Sequence, residues 1–159
     1  MKKLMVLAAG IMFLWAASDA IGAESDGILG VWTTQGGKYK VEIFKCGAAF
    51  CGKVVWLAEP EYPAGDEKGM AGKAKVDRNN PEESLRSRPL LGLQMMKGFT
   101  YSADNSTWEG GTIYDPDNGK TYKCKITQPN ADQLNVRGFI GFSLLGRTEK
   151  WVRAETGNN

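Results

Sequence analysis

The sequence predicts an all-β protein: a single antiparallel barrel of eight strands, with one long loop carrying a short helix. Three observations lead there. Apolar and polar residues alternate along most of the chain beyond residue 30, as where Tyr39, Val41 and Ile43 oppose Lys38, Lys40 and Glu42. The alternating runs are divided by turn chemistry, namely Gln35-Gly36-Gly37, Ala103-Asp104-Asn105-Ser106, Asp115-Pro116-Asp117-Asn118-Gly119 and Gln128-Pro129-Asn130-Ala131-Asp132. Such short connections make successive strands antiparallel neighbours, and closing eight of them into an up-and-down barrel removes the edges an open sheet exposes. A two-sheet sandwich is the alternative arrangement.

Ahead of the strands, the chain opens Met1-Lys2-Lys3, and the fourteen residues from Leu4 to Ala17 carry no charge. A basic start, an apolar run and then small residues are the layout of a secretory signal peptide, assigned to residues 1–23. Cleavage is expected after Ala23, with Ala20 also chemically reasonable. The apolar run is shorter than the ~20 residues a membrane-crossing helix needs. No cysteine stands near the cleavage site to carry a lipid. The product is therefore expected to be periplasmic or secreted, neither a lipoprotein nor an integral membrane protein, with a β domain over 27–153 and a disordered tail over 154–159.

Removing residues 1–23 takes away Lys2, Lys3 and Asp19, so the 20 basic and 18 acidic residues of the chain become 18 and 17. A nearly neutral domain has no basic excess with which to hold nucleic acid. The chain has no histidine, which excludes Ser-His-Asp and Cys-His nucleophile systems and any imidazole metal site. No cofactor, no metal site and no catalytic residue is called for.

The strands are expected at 30–35, 38–46, 51–58, 90–101, 107–114, 120–128, 133–140 and 146–153. Cys46 and Cys51 end the second strand and begin the third, where a four-residue hairpin loop would set them opposite one another; a disulfide is expected in an oxidising compartment. A redox or metal pair is the competing reading, but a metal would want further ligands. In the fourth strand, Leu91, Leu93, Met95 and Phe99 share a face and Met96 lies opposite. In the fifth, Gly110 and Gly111 mark a bend, a bulge or a close approach by another segment. In the sixth, Tyr122, Cys124 and Ile126 share a face, so Cys124 reads as a buried thiol packed like a small hydrophobe. In the seventh, Leu134, Val136 and Ile140 oppose Asn135 and Arg137.

Between the third and fourth strands, residues 59–89 are rich in Pro, Gly and charge. Asn80-Pro81-Glu82-Glu83 followed by Ser84-Leu85-Arg86 predicts a helix of one or two turns, capped by Asn80, started by Pro81 and closed by Glu83 as in a capping box. Asp77, Asn80, Arg86 and Arg88, with Arg78 and Asn79, form either a polar site at the barrel mouth or a salt-bridged loop that merely lids it. The run from Asp115 to Gly119 is too short and out of register for a calcium loop, and reads as a hairpin turn.

These residues carry a resemblance. Gly30-Val31-Trp32, the run from Lys40 to Cys46, that from Phe50 to Trp56, Asn80-Pro81 with the run from Leu85 to Leu90, that from Trp108 to Pro116, that from Gly119 to Tyr122 and that from Val136 to Thr148 resemble the bacterial family called domain of unknown function 2147. The likeness spans about Gly27 to Arg153 and implies no activity; the paired cysteines match its pattern and Cys124 does not belong to it. Gly30-Val31-Trp32, with Arg147 and Arg153 flanking Trp151, is also similar to the lipocalin and wider calycin arrangement. That likeness implies a first-strand tryptophan beneath an arginine from near the end of the barrel, closing its base.

The function expected is non-enzymatic binding of a small apolar or amphipathic molecule inside the barrel. Trp32, Met95, Trp108 and Trp151 are the candidate lining, with Glu109, Arg137 and Arg147 as candidate polar anchors. The alternatives are a periplasmic interaction module using the 59–89 loop, and an enzyme pairing Glu109 with Asp77 or Asp115.

Overall fold

A computed structural model describes residue 22, residues 24–142 and residues 144–155. The signal peptide assigned to 1–23 lies outside these apart from Gly22, and of the tail only Ala154 and Glu155 fall within them. Eight strands form a closed antiparallel barrel in chain order: β1 (Gly30–Thr33), β2 (Tyr39–Cys46), β3 (Ala49–Leu57), β4 (Gln94–Ser102), β5 (Thr107–Asp115), β6 (Lys120–Asn130), β7 (Gln133–Phe139) and β8 (Gly146–Arg153). The ring closes where Trp32 and Thr33 of β1 pair with Arg153 and Val152 of β8. Among the described residues no helix is long and apolar enough to cross a membrane.

The alternation sets one face of each strand inward. Val41, Ile43, Val54, Ile126, Leu134 and Trp151 are buried in one core. Up-and-down order also divides the loops between two ends. The base carries the tight hairpins after β2, β4 and β6, and the mouth carries the loops after β1, β3, β5 and β7.

A single 3-10 turn, Asp26–Ile28, plugs the base. Ile28 is buried, and its carbonyl accepts the Trp32 indole N–H at 2.8 Å. Trp108 donates to the Ser25 carbonyl at 2.9 Å. Arg153 spans the whole arrangement. Its guanidinium lies over the Trp32 ring and donates to the carbonyls of Gly27, Leu29 and Ala131.

The cysteines are joined, with Cα atoms 5.8 Å apart. They are not directly opposite, because the hairpin loop has two residues rather than the expected four. Gly47, at φ +70°, makes the sharp turn, so Cys46 pairs with Ala49 and Cys51 with Phe44. The disulfide therefore runs diagonally across the hairpin.

The fourth strand departs further from expectation. It starts at Gln94, leaving Leu90 and Leu93 buried in the approach to it and Leu91 exposed. Met96 does not face away from Phe99: both are buried in the core. Gly52 pairs with Met96 and Phe50 with Phe99, so two residues of β3 span three of β4. Gly98, at φ +79°, absorbs the extra residue and returns Phe99 to the inside. The Phe99 ring then fills the place where a side chain at Gly111 would stand: a Cβ there would lie 2.5 Å from it. Close approach was one of the roles expected for that glycine pair, and the register shift between Trp108 and Gly111 supplies the bulge as well.

The short helix is a single 3-10 turn, Glu83–Leu85. The Asn80 side-chain oxygen accepts the backbone N–H of Glu82 at 2.9 Å. It thus closes a turn ahead of the helix instead of capping it, and the helix has no side-chain cap.

Candidate functional site

Below mid-height the barrel is solid, filled by Trp32, Phe99, Met96, Trp108 and their neighbours. Above them a cavity of about 850 Å³ opens at the mouth. Its apolar walls include Met95, Ile113, Val136 and Trp151, while Tyr39, Tyr122, Arg147 and Glu149 add polar groups. Two features keep this half from packing shut. Gly138 takes an inward position, with Tyr122 and Ile113 beside it, and contributes no side chain. Arg147 and Glu149 share the face of β8 that carries Trp151, and charged groups resist burial in a dry core.

The polar groups at the mouth are ordered. Glu149 lies 3.3 Å from the Arg147 guanidinium and accepts the Trp151 indole N–H at 3.4 Å. Across the opening, Tyr39 donates to Asp117 at 3.0 Å. Burial pushes the Tyr39 phenol far above its ordinary range, and the Asp117 carboxylate adds to the shift. The Asp115–Gly119 turn is held internally, with the Asp115 carboxylate accepting from the Asp117 N–H and the Asn118 amide. Its side-chain oxygens are thus engaged within the turn and by Tyr39 and Lys38, and it forms the hairpin turn between β5 and β6.

The long loop is stitched to this rim. Asn79 donates to the carbonyls of Pro116 and Asp117, and Lys38 pairs with Asp117 from the β1–β2 side. Gly119, at φ +70°, faces the Asn79 carbonyl so closely that no Cβ fits. Asp77 is fully buried beneath the loop. It accepts from Tyr114, from Asn80 at 2.8 Å and from Arg88 at 2.8 Å, while Arg86 donates to the Asn80 carbonyl. The six-residue polar cluster is thus drawn together, with its hydrogen bonds directed into holding the loop. Arg78 belongs to the same scaffold, stacked on Tyr62 and paired with Asp66.

Of the seven candidate pocket residues, Met95, Arg147 and Trp151 line the cavity. The other four are placed elsewhere. Trp32 and Trp108 sit at the base, tied to the N-terminal turn. Glu109 faces outward, 3.9 Å from Lys125. Arg137 pairs with Lys125 across β6 and β7, and donates to Thr148 and to the Leu144 carbonyl. Period-two counting assigns faces but not height along the barrel. That is why base and mouth tryptophans looked alike. Glu149 and Gly138 were missed, although both could have been found by counting in steps of two from Trp151 and Val136.

The carboxylates considered for catalysis do not converge. Glu109 and Asp115 stand six residues apart on one strand, roughly 20 Å. Asp77 is saturated by Tyr114, Asn80 and Arg88.

A family model described as an uncharacterized protein conserved in bacteria (DUF2147) matches residues 30–153. The chain belongs to this family. The matched span begins at the first residue of β1 and ends at the last of β8, so the DUF2147 unit here is the barrel itself. Among solved structures, a Helicobacter pylori protein described as belonging to the lipocalin family is similar, with a TM-score of 0.66 and 23% identity. The match covers 81% of this chain and 84% of that one, and it shows a shared lipocalin-like barrel. No curated protein matches the sequence. The arginine over a first-strand tryptophan, implied by the calycin likeness, is present as Arg153 over Trp32.

Proposed function

We propose that this DUF2147 protein is exported to the cell envelope and holds a small apolar or amphipathic molecule in the open half of its barrel. The observation that carries the reading is the cavity of about 850 Å³ above a solid base. That volume falls within the range of small-molecule pockets, and apolar walls with a few placed polar groups are their usual chemistry. Met95, Ile113, Val136 and Trp151 would take the apolar body, and Arg147 with Glu149 the polar end. The lipocalin-like fold supports this by analogy only. The charged start and apolar run of residues 1–23 support export, and the Cys46–Cys51 bridge fits an oxidising compartment.

Native mass spectrometry of protein purified from its own cells should show a reproducible small-molecule adduct. The same protein should bind the apolar dye N-phenyl-1-naphthylamine, and Gly138→Leu should abolish binding by filling the cavity. A bare mass with no dye binding overturns the reading, as does undiminished binding by a folded Gly138→Leu variant.

A further inference from the structure

Most of the exposed large apolar side chains among the described residues gather on one loop. Of the seven among the described residues, four fall on the β7–β8 loop: Ile140 (65% exposed), Phe142 (81%), Leu144 (88%) and Leu145 (76%). The loop stands at the mouth, and Ile140 and Leu145 also line the cavity, whereas Phe142 and Leu144 do not. Single exposed hydrophobics need no explanation, but a cluster on one exposed loop marks a contact surface.

Charge says what kind of surface it meets. From residue 120 to 150 the chain carries Lys120, Lys123, Lys125, Arg137, Arg147 and Lys150 against Asp132 and Glu149. Lys123 pairs in register with Phe139, at the foot of the loop, and Arg147 follows directly after it. Arg137 holds the loop through the Leu144 carbonyl. Asp132 lies in the β6–β7 turn at the opposite end of the barrel, and Glu149 is engaged by Arg147 and Trp151. The acidic residues of the mouth lie in its other loops: Asp115 and Asp117 in the β5–β6 turn, held by Asn118, Lys38 and Tyr39, and Glu59, Glu61, Asp66, Glu67, Asp77, Glu82 and Glu83 in the 59–89 loop, beside its own Lys68, Lys73, Lys75, Arg78, Arg86 and Arg88. An apolar tip with a basic collar matches the interface of an anionic bilayer, where apolar side chains enter the acyl boundary and cations meet the headgroups.

We propose that the β7–β8 loop docks the barrel, mouth first, on an anionic lipid surface, with Phe142 and Leu144 entering the bilayer and Lys123, Arg137 and Arg147 facing the headgroups. The docking surface goes beyond the cavity reading and does not depend on it. If both hold, an amphipathic molecule would reach the cavity directly from the membrane.

The test is co-sedimentation of the protein, as isolated from its producing cells, with vesicles of equimolar phosphatidylglycerol and phosphatidylcholine and with vesicles of phosphatidylcholine alone. Binding is expected to the anionic vesicles and to be weaker on the neutral ones. The double variant Phe142→Asp and Leu144→Asp should lose roughly tenfold or more in vesicle affinity. It shares its N-terminus with the parent, so the difference reads the loop alone. Both replaced side chains are exposed and outside the cavity, so dye binding should persist and report that the variant is folded. Equal sedimentation of variant and parent overturns the proposal, as does a parent that binds neither vesicle. A concentration-dependent dimer that the double variant abolishes, without vesicle binding, overturns it in favour of contact with a second copy. Vesicle binding by a parent that takes up no dye leaves the docking surface standing and sinks only the cavity reading.

Discussion

The guanidinium of Arg153 lies 4.1 Å from the centroid of the Trp32 ring, so the last residue of β8 covers the second residue beyond Gly30 in the chain's first strand. The contact joins the two strands whose pairing closes the barrel, and it also holds the N-terminal turn through the carbonyls of Gly27 and Leu29. Arg153→Ala should destabilise the fold by about 2 to 3 kcal/mol, from the lost ring contact and the lost charged hydrogen bonds. Urea denaturation checks this. Arg153→Lys should recover less than half of the loss, because an ammonium cannot span three carbonyls in one plane.

Removal of the disulfide should be mild. The bridge closes a sequence separation of only 5 residues, which constrains little of the unfolded chain. Cys46→Ser with Cys51→Ser should cost about 2 kcal/mol by the loop-entropy relation, with the barrel still folded. Retained near-ultraviolet dichroism and a lowered denaturation midpoint are the expected readouts.

Asp77 anchors the long loop from inside. Asp77→Ala would leave Arg88, Tyr114 and Asn80 without their shared acceptor, at a cost of roughly 3 to 5 kcal/mol. Limited proteolysis should then cut first within residues 59–89, while the strands resist. Cleavage spread evenly along the chain would count against an anchoring role.

The same contact makes stability fall in alkali. Burial pushes the Tyr114 phenol up to about 12, and its hydrogen bond to the Asp77 carboxylate and that group's charge push the same way. The folded state favours the neutral phenol, so this contribution is whole below the unfolded value of about 10 and is lost as pH rises toward 12. Tyr39 moves in the same direction. Denaturation midpoints should therefore drop across that window, and less steeply for Tyr114→Phe.

Cys124 should be inert while the protein is folded. It is buried, and burial pushes its thiol up to about 12, so almost no thiolate exists at neutral pH. A disulfide-exchange thiol reagent should label it only on unfolding, at the rate of that event. Fast labelling of the native protein would contradict the packing described.

The eight strands, their order and the pairing of Cys46 with Cys51 were legible in the sequence, because the side-chain period of two writes the inward face of a strand into alternate residues. Tyr39, Val41 and Ile43 needed nothing beyond their spacing to be placed inside, and the short polar turns left antiparallel neighbours as the only connection. Met96 was not legible in that way. That it shares the inside with Phe99 depends on the bulge at Gly98 between them, since a single extra residue reverses the face of everything that follows it. The seven candidate pocket residues separated for a related reason. Their faces follow from counting, but their heights follow from how each strand is staggered against the next.

By itself, then, the amino-acid order determined an antiparallel β domain with a bridged hairpin and a long polar loop, since alternation, turn residues and cysteine spacing are local properties; that the sheet closes into a barrel rather than a two-sheet sandwich was decided by the pairing of β1 with β8. Only the tertiary structure decided that the lower half is solid and the upper half open. A cavity exists only where eight inward faces meet, here where Gly138 supplies no side chain and Arg147 with Glu149 resists dry burial. The apolar β7–β8 loop likewise became a surface only when closure of the barrel placed it at the open end.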